Sequence, residues 1–179
     1  MRLVLCRHAA AGDARGAADL AAALRGHDVA AVYTSPLTRA LETARAVAEP
    51  HGLSPEVRED LREIELGDVD GLQFEDYPTE LQEALLTAPA TVSFPGGESY
   101  ELLRTRVVAA LEELTMRHDG QTIVVISHAG PIRAALATWL SVSPGASFRI
   151  GQSFGAVNVV DWHDGAPFVQ LVNGVDLQR

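Results

Sequence analysis

Arg2-Leu3-Val4-Leu5-Cys6-Arg7-His8-Ala9-Ala10-Ala11-Gly12 opens on a short apolar run, delivers an arginine and a histidine, and ends in small residues. A bounded apolar run of this kind reads as a central strand of a parallel sheet, buried on both faces. Gln121-Thr122-Ile123-Val124-Val125-Ile126 repeats the pattern and delivers Ser127-His128-Ala129-Gly130. In open α/β sheets the chemistry collects just beyond the carboxyl ends of the strands. Two such strands lying parallel and central would bring His8 and His128 out at one edge. A lone polar residue at a strand end usually has no function; two ends of the same design favour a site.

Outward from these strands, helix and strand signals alternate. Asp13 to Arg25 is alanine-rich with Leu20 and Leu24 four apart, a helix that Gly26 can end. Val29 to Tyr33 is a second strand. Thr34-Ser35-Pro36 then reads as an N-cap with proline in the first turn of a helix running from Leu37 to His51. Pro55 to Arg58 is a short third strand. Leu61 to Gly71 reads as an ordered loop and Asp76 to Ala88 as a small helix, with a tight turn at Phe94-Pro95-Gly96-Gly97. Glu98-Ser99 starts a long helix to about His118, and a further helix spans Pro131 to Leu140. Gly155 to Trp162 and Pro167 to Val172 are strands joined by a hairpin turn at His163-Asp164-Gly165-Ala166. The pattern is that of an α/β sandwich with a largely parallel sheet, made mixed by the closing hairpin.

Composition narrows the function. At 179 residues the chain is expected to form one domain over 1–179, with 47% hydrophobic and 21% charged residues, ordinary for a globular protein. Apolar runs are too short for a membrane span, and the start lacks the regions of a signal peptide. The single Cys6 gives no disulfide framework and no cysteine-based metal site, so a cytoplasmic location is the expectation. All fourteen basic residues are arginine, which removes Schiff-base chemistry and the P-loop lysine together. A formal charge of −10 argues against nucleic acid. Any anion site must therefore be a local cluster of arginines. Arg7 and Arg39, the latter in the first turn after the second strand, fall at the same sheet edge as the histidines. Gly130 would let an anion approach the backbone at a helix N-terminus. Glu63 lies on the loop that could cover the site.

With these residues assembled, the chain resembles the histidine phosphatase superfamily, the phosphoglycerate mutase-like enzymes. Arg7-His8 matches the start of the family's Arg-His-Gly signature. Ser35-Pro36-Leu37-Thr38-Arg39-Ala40-Leu41-Glu42-Thr43-Ala44 is similar to its Ser-Pro-Leu-x-Arg-Ala-x-x-Thr-Ala segment. Leu61-Arg62-Glu63-Ile64-Glu65-Leu66-Gly67, Gly96-Gly97-Glu98-Ser99 and Ser127-His128-Ala129-Gly130 match three later signatures in the right order. The resemblance implies a three-layer α/β/α sandwich of phosphoglycerate mutase-like type. It also implies His8 as nucleophile forming a phosphohistidine, and Arg7, Arg39 and His128 as the phosphate cradle. Glu63 is implied as the acid that protonates the leaving oxygen and then activates water. Glu98 is a possible alternative acid, although Glu98-Ser99 also reads as a helix start. In this casting His8 must be neutral, whereas His128 is more useful protonated. Arg104 and Arg106 read as surface charges. His27, His51, His118 and His163 read as solvated, and Cys6 as core.

No metal or other cofactor is expected, and the partner is a small-molecule phosphomonoester; nucleic acid and membranes are not. Monomer and homodimer remain open. Two departures from the family pattern matter. Ala9-Ala10 replaces the usual Gly-Glu, and only about two dozen residues separate His8 from the second strand. The shorter segment predicts a more open pocket, which favours a phosphatase over mutase-type transfer. A pseudo-phosphatase that holds a phosphorylated ligand without turnover is the main alternative. A serine hydrolase using Ser35 or Ser127 is remote, because no Gly-x-Ser-x-Gly elbow is present.

Overall fold

The computed structural model describes residues 1–175. Its elements run β1 (Arg2–Arg7), α1 (Ala14–Leu24), β2 (Ala31–Thr34), α2 (Thr38–Ala48), β3 (Glu56–Val57), α3 (Thr79–Thr87) and α4 (Tyr100–Arg117). They continue with β4 (Thr122–Ser127), α5 (Ala129–Trp139), α6 (Pro144–Ser147), β5 (Val157–His163) and β6 (Ala166–Gly174). The strands form one sheet in the order β3-β2-β4-β1-β5-β6. The first four are parallel; β5 runs antiparallel to β1, and β6 to β5.

β1 and β4 are neighbours at the centre, and their apolar runs are buried on both faces. Val4, Cys6, Val124 and Ile126 point into a core shared with Leu20, Leu24, Ala44 and Val47 of α1 and α2. Leu3, Leu5, Ile123 and Val125 point the other way, onto Leu103, Val107, Leu111, Ile132 and Leu136 of α4 and α5. This is a three-layer α/β/α sandwich. Ile123, Val124, Val125 and Ile126 are fully enclosed, and each such side chain contributes roughly 1.5–3 kcal/mol on leaving water. A third, small cluster of Val69, Leu81, Val92 and Phe94 supports the segment between β3 and α4. Cys6 is buried core, as read from sequence.

Local chemistry sets the element ends, and several differ from expectation. Asp13 caps α1, its carboxylate accepting from Gly16 N–H at 2.9 Å. Ser99 caps α4 in the same way through Leu102 N–H. α2 starts at Thr38 rather than Leu37, because Ser35 is not its cap: residue 37 takes that place, and the Ser35 hydroxyl is used elsewhere. The helix expected over Asp76–Ala88 splits into a single turn at Phe74–Asp76 and α3 after Pro78. α6 was not anticipated. At the hairpin, Asp164 and Gly165 both have positive φ, the conformation that two-residue hairpin turns favour. No helix among the described residues is long and apolar enough to cross a membrane.

Candidate active site

Register places the two histidines together. Arg7 of β1 pairs with Ser127 of β4, so His8 and His128 each leave the sheet one residue later. His8 N–H donates to the Ser127 carbonyl at 3.0 Å. The two imidazoles meet edge to face with centroids 4.9 Å apart, and both are buried.

The proton arrangement of His8 follows from its partners. Nδ1 lies 2.5 Å from the Ala9 carbonyl, which can only accept, so Nδ1 carries the hydrogen. Nε2 then holds the lone pair, and Arg39 Nε–H donates to it at 3.1 Å. Burial above all holds the His8 pKa below its usual range, with the Arg39 and Arg7 charges adding to that; the Ala9 hydrogen bond opposes them. His8 is therefore neutral, as expected.

In the free chain His128 is held toward its neutral form as well. Burial first, then Arg39, His8, Arg7 and Arg106, push its pKa down to about 3. Its Nε2 is held by Ser35 Oγ at 2.8 Å, and the same Oγ accepts from Leu37 N–H at 3.3 Å. Ser35 is completely buried, so no substrate can reach it as a nucleophile. Ser127 Oγ donates to the Leu61 carbonyl at 2.8 Å and is likewise enclosed. His128 Nδ1 and Arg7 Nε are buried without a hydrogen-bond partner among the described residues. The cluster thus keeps hydrogen-bonding capacity for an anion.

Arg7 is aimed by a polar network behind β1. Its Nη1 donates to the Gln152 carbonyl at 2.5 Å, and the buried Gln152 and Asn158 amides bind each other at 2.8 and 2.9 Å. Asn158 also donates to the Leu5 carbonyl. Phe154, half exposed, lies under the Arg7 guanidinium at 3.8 Å and tilts against His8 at 5.6 Å. Ala9 N–H donates to Thr43 Oγ1, which itself bonds back to the Arg39 carbonyl. The Ala9 methyl lies by the first turn of α1, 3.4 Å from where a Cβ on Gly16 would sit.

Glu63 reaches the start of α5. Its Oε2 accepts from Gly130 N–H at 3.3 Å and its Oε1 from Ile64 N–H at 2.9 Å. A methyl on Gly130 would overlap Oε1. The anion that Gly130 admits is thus the chain's own carboxylate, beside His128. His8, Arg7, Arg39, His128 and Glu63 come together as the sequence indicated. Glu98 does not join them: both of its oxygens bind Arg106, which in turn grips the loop carrying Glu63. Arg106 is therefore not a surface charge, whereas Arg104 is, paired with Glu101 on the exterior of α4. His118 is not simply solvated either, since its Nε2 meets the Tyr33 hydroxyl at 2.7 Å.

Sequence reasoning missed Ser35, Gln152, Phe154, Asn158 and Arg106. The one usable signal was the hydroxyl inside Ser35-Pro36. Among the described residues, no three His, Cys, Asp or Glu side chains are grouped as a metal site requires.

The model for "Histidine phosphatase superfamily (branch 1)" matches residues 12–174. A bifunctional protein of Mycobacterium tuberculosis is 33% identical over 149 residues, covering 81% of this chain and 41% of that protein. Phosphoserine phosphatase 1 of Hydrogenobacter thermophilus is 33% identical over 133 residues, covering 72% and 63%. The chain thus spans less than two thirds of the length of either relative. Among solved structures, Bacillus stearothermophilus YhfR superposes with a TM-score of 0.90 at 23% identity, covering 99% of this chain and 98% of that one. Its likeness is one of fold, while the family match runs from α1 to β6, and on that match the chain belongs to branch 1 of the histidine phosphatase superfamily.

Proposed function

We propose that the chain is a phosphomonoesterase that works through a phosphohistidine at His8, acts on a small phosphorylated metabolite and needs no metal. The observation that carries this reading is the tautomer of His8. With Nδ1–H committed to the Ala9 carbonyl, Nε2 is a neutral lone-pair nitrogen beside a guanidinium. That is the state a nitrogen nucleophile needs for in-line attack on phosphorus.

In this reading Arg7, Arg39 and His128 hold the non-bridging oxygens and oppose the charge that builds in the transition state. Arg39 leaves the His8 lone pair as the phosphoryl group arrives and turns its donors to the phosphate. A phosphate dianion beside His128 offsets the cations that keep it neutral, and so favours its protonation when substrate binds. Glu63 donates its proton to the leaving oxygen and then, as carboxylate, takes one from the water that attacks phosphohistidine. The order of events needs a single acid–base group next to the cradle, and Glu63 sits against the α5 N-terminus at Gly130, two residues beyond His128.

The name of the Hydrogenobacter relative supports a small phosphomonoester as substrate class. Against Gly130 lies a cavity of about 90 Å³, lined also by Ile64, Val92, Phe94, Arg133 and Phe148.

The test is hydrolysis of an aryl phosphate in EDTA, wild type against His8→Ala. Turnover that survives EDTA and disappears in the variant supports the reading. Phosphate binding without turnover between pH 5 and 8 would replace it with a pseudo-phosphatase. Turnover abolished by EDTA would remove the metal-independent mechanism.

A further inference from the structure

Glu63 lies on irregular backbone between the turns Glu59–Leu61 and Gly67–Val69. A loop holds a side chain to catalytic precision only if its own backbone groups are tied down. Here the ties converge on Arg106 of α4. Its Nη1 donates to the carbonyls of Asp60 and Arg62, each at 2.9 Å, and its Nη2 to the carbonyl of Glu63 at 3.2 Å. The other two N–H groups, on Nε and Nη2, grip the Glu98 carboxylate at 2.7 and 2.8 Å. A guanidinium offers five N–H donors, and all five are engaged.

Glu98 extends the clamp to the next stretch of loop. Its own N–H donates to the Glu65 carbonyl at 2.8 Å, and its Oε2 accepts from Glu65 N–H at 3.4 Å. The turn Phe94–Gly97 and the Glu65–Gly67 stretch pack so tightly that a methyl on Gly67 or Gly97 would overlap the other segment's backbone. The Glu98 and Arg106 side chains are only 11% and 25% exposed, so solvent screens the pair weakly.

We propose that Arg106, paired with Glu98, is a positioning residue for leaving-group protonation: by fixing the carbonyls of residues 60, 62 and 63 it sets where the Glu63 carboxylate can reach. The inference rests on the phosphatase reading above. Arg106 bonds the Glu63 main chain and not its carboxylate, so it acts through that residue. The cradle is built from other elements: Arg7 ends β1 and His8 follows it, Arg39 belongs to α2, and His128 precedes α5. Losing Arg106 should therefore impair the step that needs a proton and spare the step that needs only the cradle.

The test compares two esters on wild type, Arg106→Met, Arg106→Lys and Glu98→Gln. Alkyl phosphates expel an alkoxide and need the acid; 2,4-dinitrophenyl phosphate expels a stable phenolate and does not. Arg106→Met is expected to lower kcat for the alkyl ester about 100-fold, with KM within about twofold. The stoichiometric burst of dinitrophenolate should remain, because phosphorylation of His8 is intact. Arg106→Lys should recover part of the loss, since it restores the charge without the fork. Equal loss on both esters, with the burst gone, would overturn the inference in favour of a general structural role. So would no change on either ester. If Arg106→Met does not fold, Arg106→Lys and Glu98→Gln carry the comparison with the same two outcomes. A wild type without burst or turnover on either ester would instead defeat the phosphatase reading itself.

Discussion

Arg39 Nε donates to Nε2 of His8 across 3.1 Å, so the guanidinium rests on the very lone pair that would attack phosphorus. The contact adds to the burial that holds the imidazole neutral, and it keeps a cation within reach of the incoming phosphoryl oxygens. Arg39→Ala is expected to lower kcat/KM for an aryl phosphate by about 10²–10³. Arg39→Lys should restore little of this, because an ammonium cannot span two oxygens as a planar fork does. Steady-state kinetics with both variants checks the prediction; a full rescue by lysine would mean that only charge matters at this position.

Glu63 is asked to act twice, and its removal should separate the two steps. With an activated aryl ester, Glu63→Gln should still phosphorylate His8 but hydrolyse the phosphoenzyme about 10²–10⁴ times more slowly. Phosphohistidine should then accumulate in the variant, as an acid-labile, alkali-stable phosphate on the chain. Rapid quench into base followed by mass measurement of the intact protein reads it directly. Glu98→Gln should trap less of the intermediate than Glu63→Gln does, since Glu98 faces Arg106 and can act only through the position of Glu63.

The sequence exposed those parts of this molecule that depend on local pattern. Val4-Leu5-Cys6 and Val124-Val125-Ile126 read as doubly buried strands because no polar residue interrupts them, and the sheet places both at its centre. His8 and His128 were legible for the same reason: each follows directly on such a strand. What stayed hidden depends on contacts across long separations. Arg106 sits among charges on α4 and looks solvated until residues some forty positions earlier fold against it. Ser35 looked like a helix cap because its tie to His128 spans 93 positions. The low pKa of His128 in the free chain stayed hidden because a sequence shows the neighbouring arginines as candidate ligands and does not show the depth of burial that sets it.

Buried neutral histidines make stability pH-dependent. His128 has a folded-state pKa of about 3 and an ordinary value of 6.5 when exposed. Below pH 6.5 the unfolded chain binds a proton that the folded chain refuses, so unfolding is favoured as pH falls. The dependence from this group begins near pH 6.5 and ends near its folded value, with a slope of up to about 1.4 kcal/mol per pH unit. His8, shifted in the same direction, adds to it. Denaturant unfolding at a series of pH values between 7 and 5, above most carboxylate titrations, should show the slope. His128→Gln should flatten it, even though that variant is less stable at pH 7. Equal slopes in the two proteins would show that His128 is protonated in the fold.

Gly130 offers a case where stability and activity should move apart. It lies in the first turn of α5, where alanine is the better helix former by up to about 1 kcal/mol. Its missing side chain, however, is the space occupied by Glu63 Oε1, and its N–H donates to Oε2. Gly130→Ala should therefore push the carboxylate out of its seat while leaving His8, Arg7 and Arg39 undisturbed. A displacement near 1 Å costs about 100-fold in a positioned reaction, and the loss should fall on esters with poor leaving groups. The melting temperature should stay level or rise, since α5 gains what the Glu63 hydrogen bond loses. A variant that melts as wild type and also turns over alkyl phosphates at the wild-type rate would show that the Glu63 carboxylate does not act from the place it occupies in this structure.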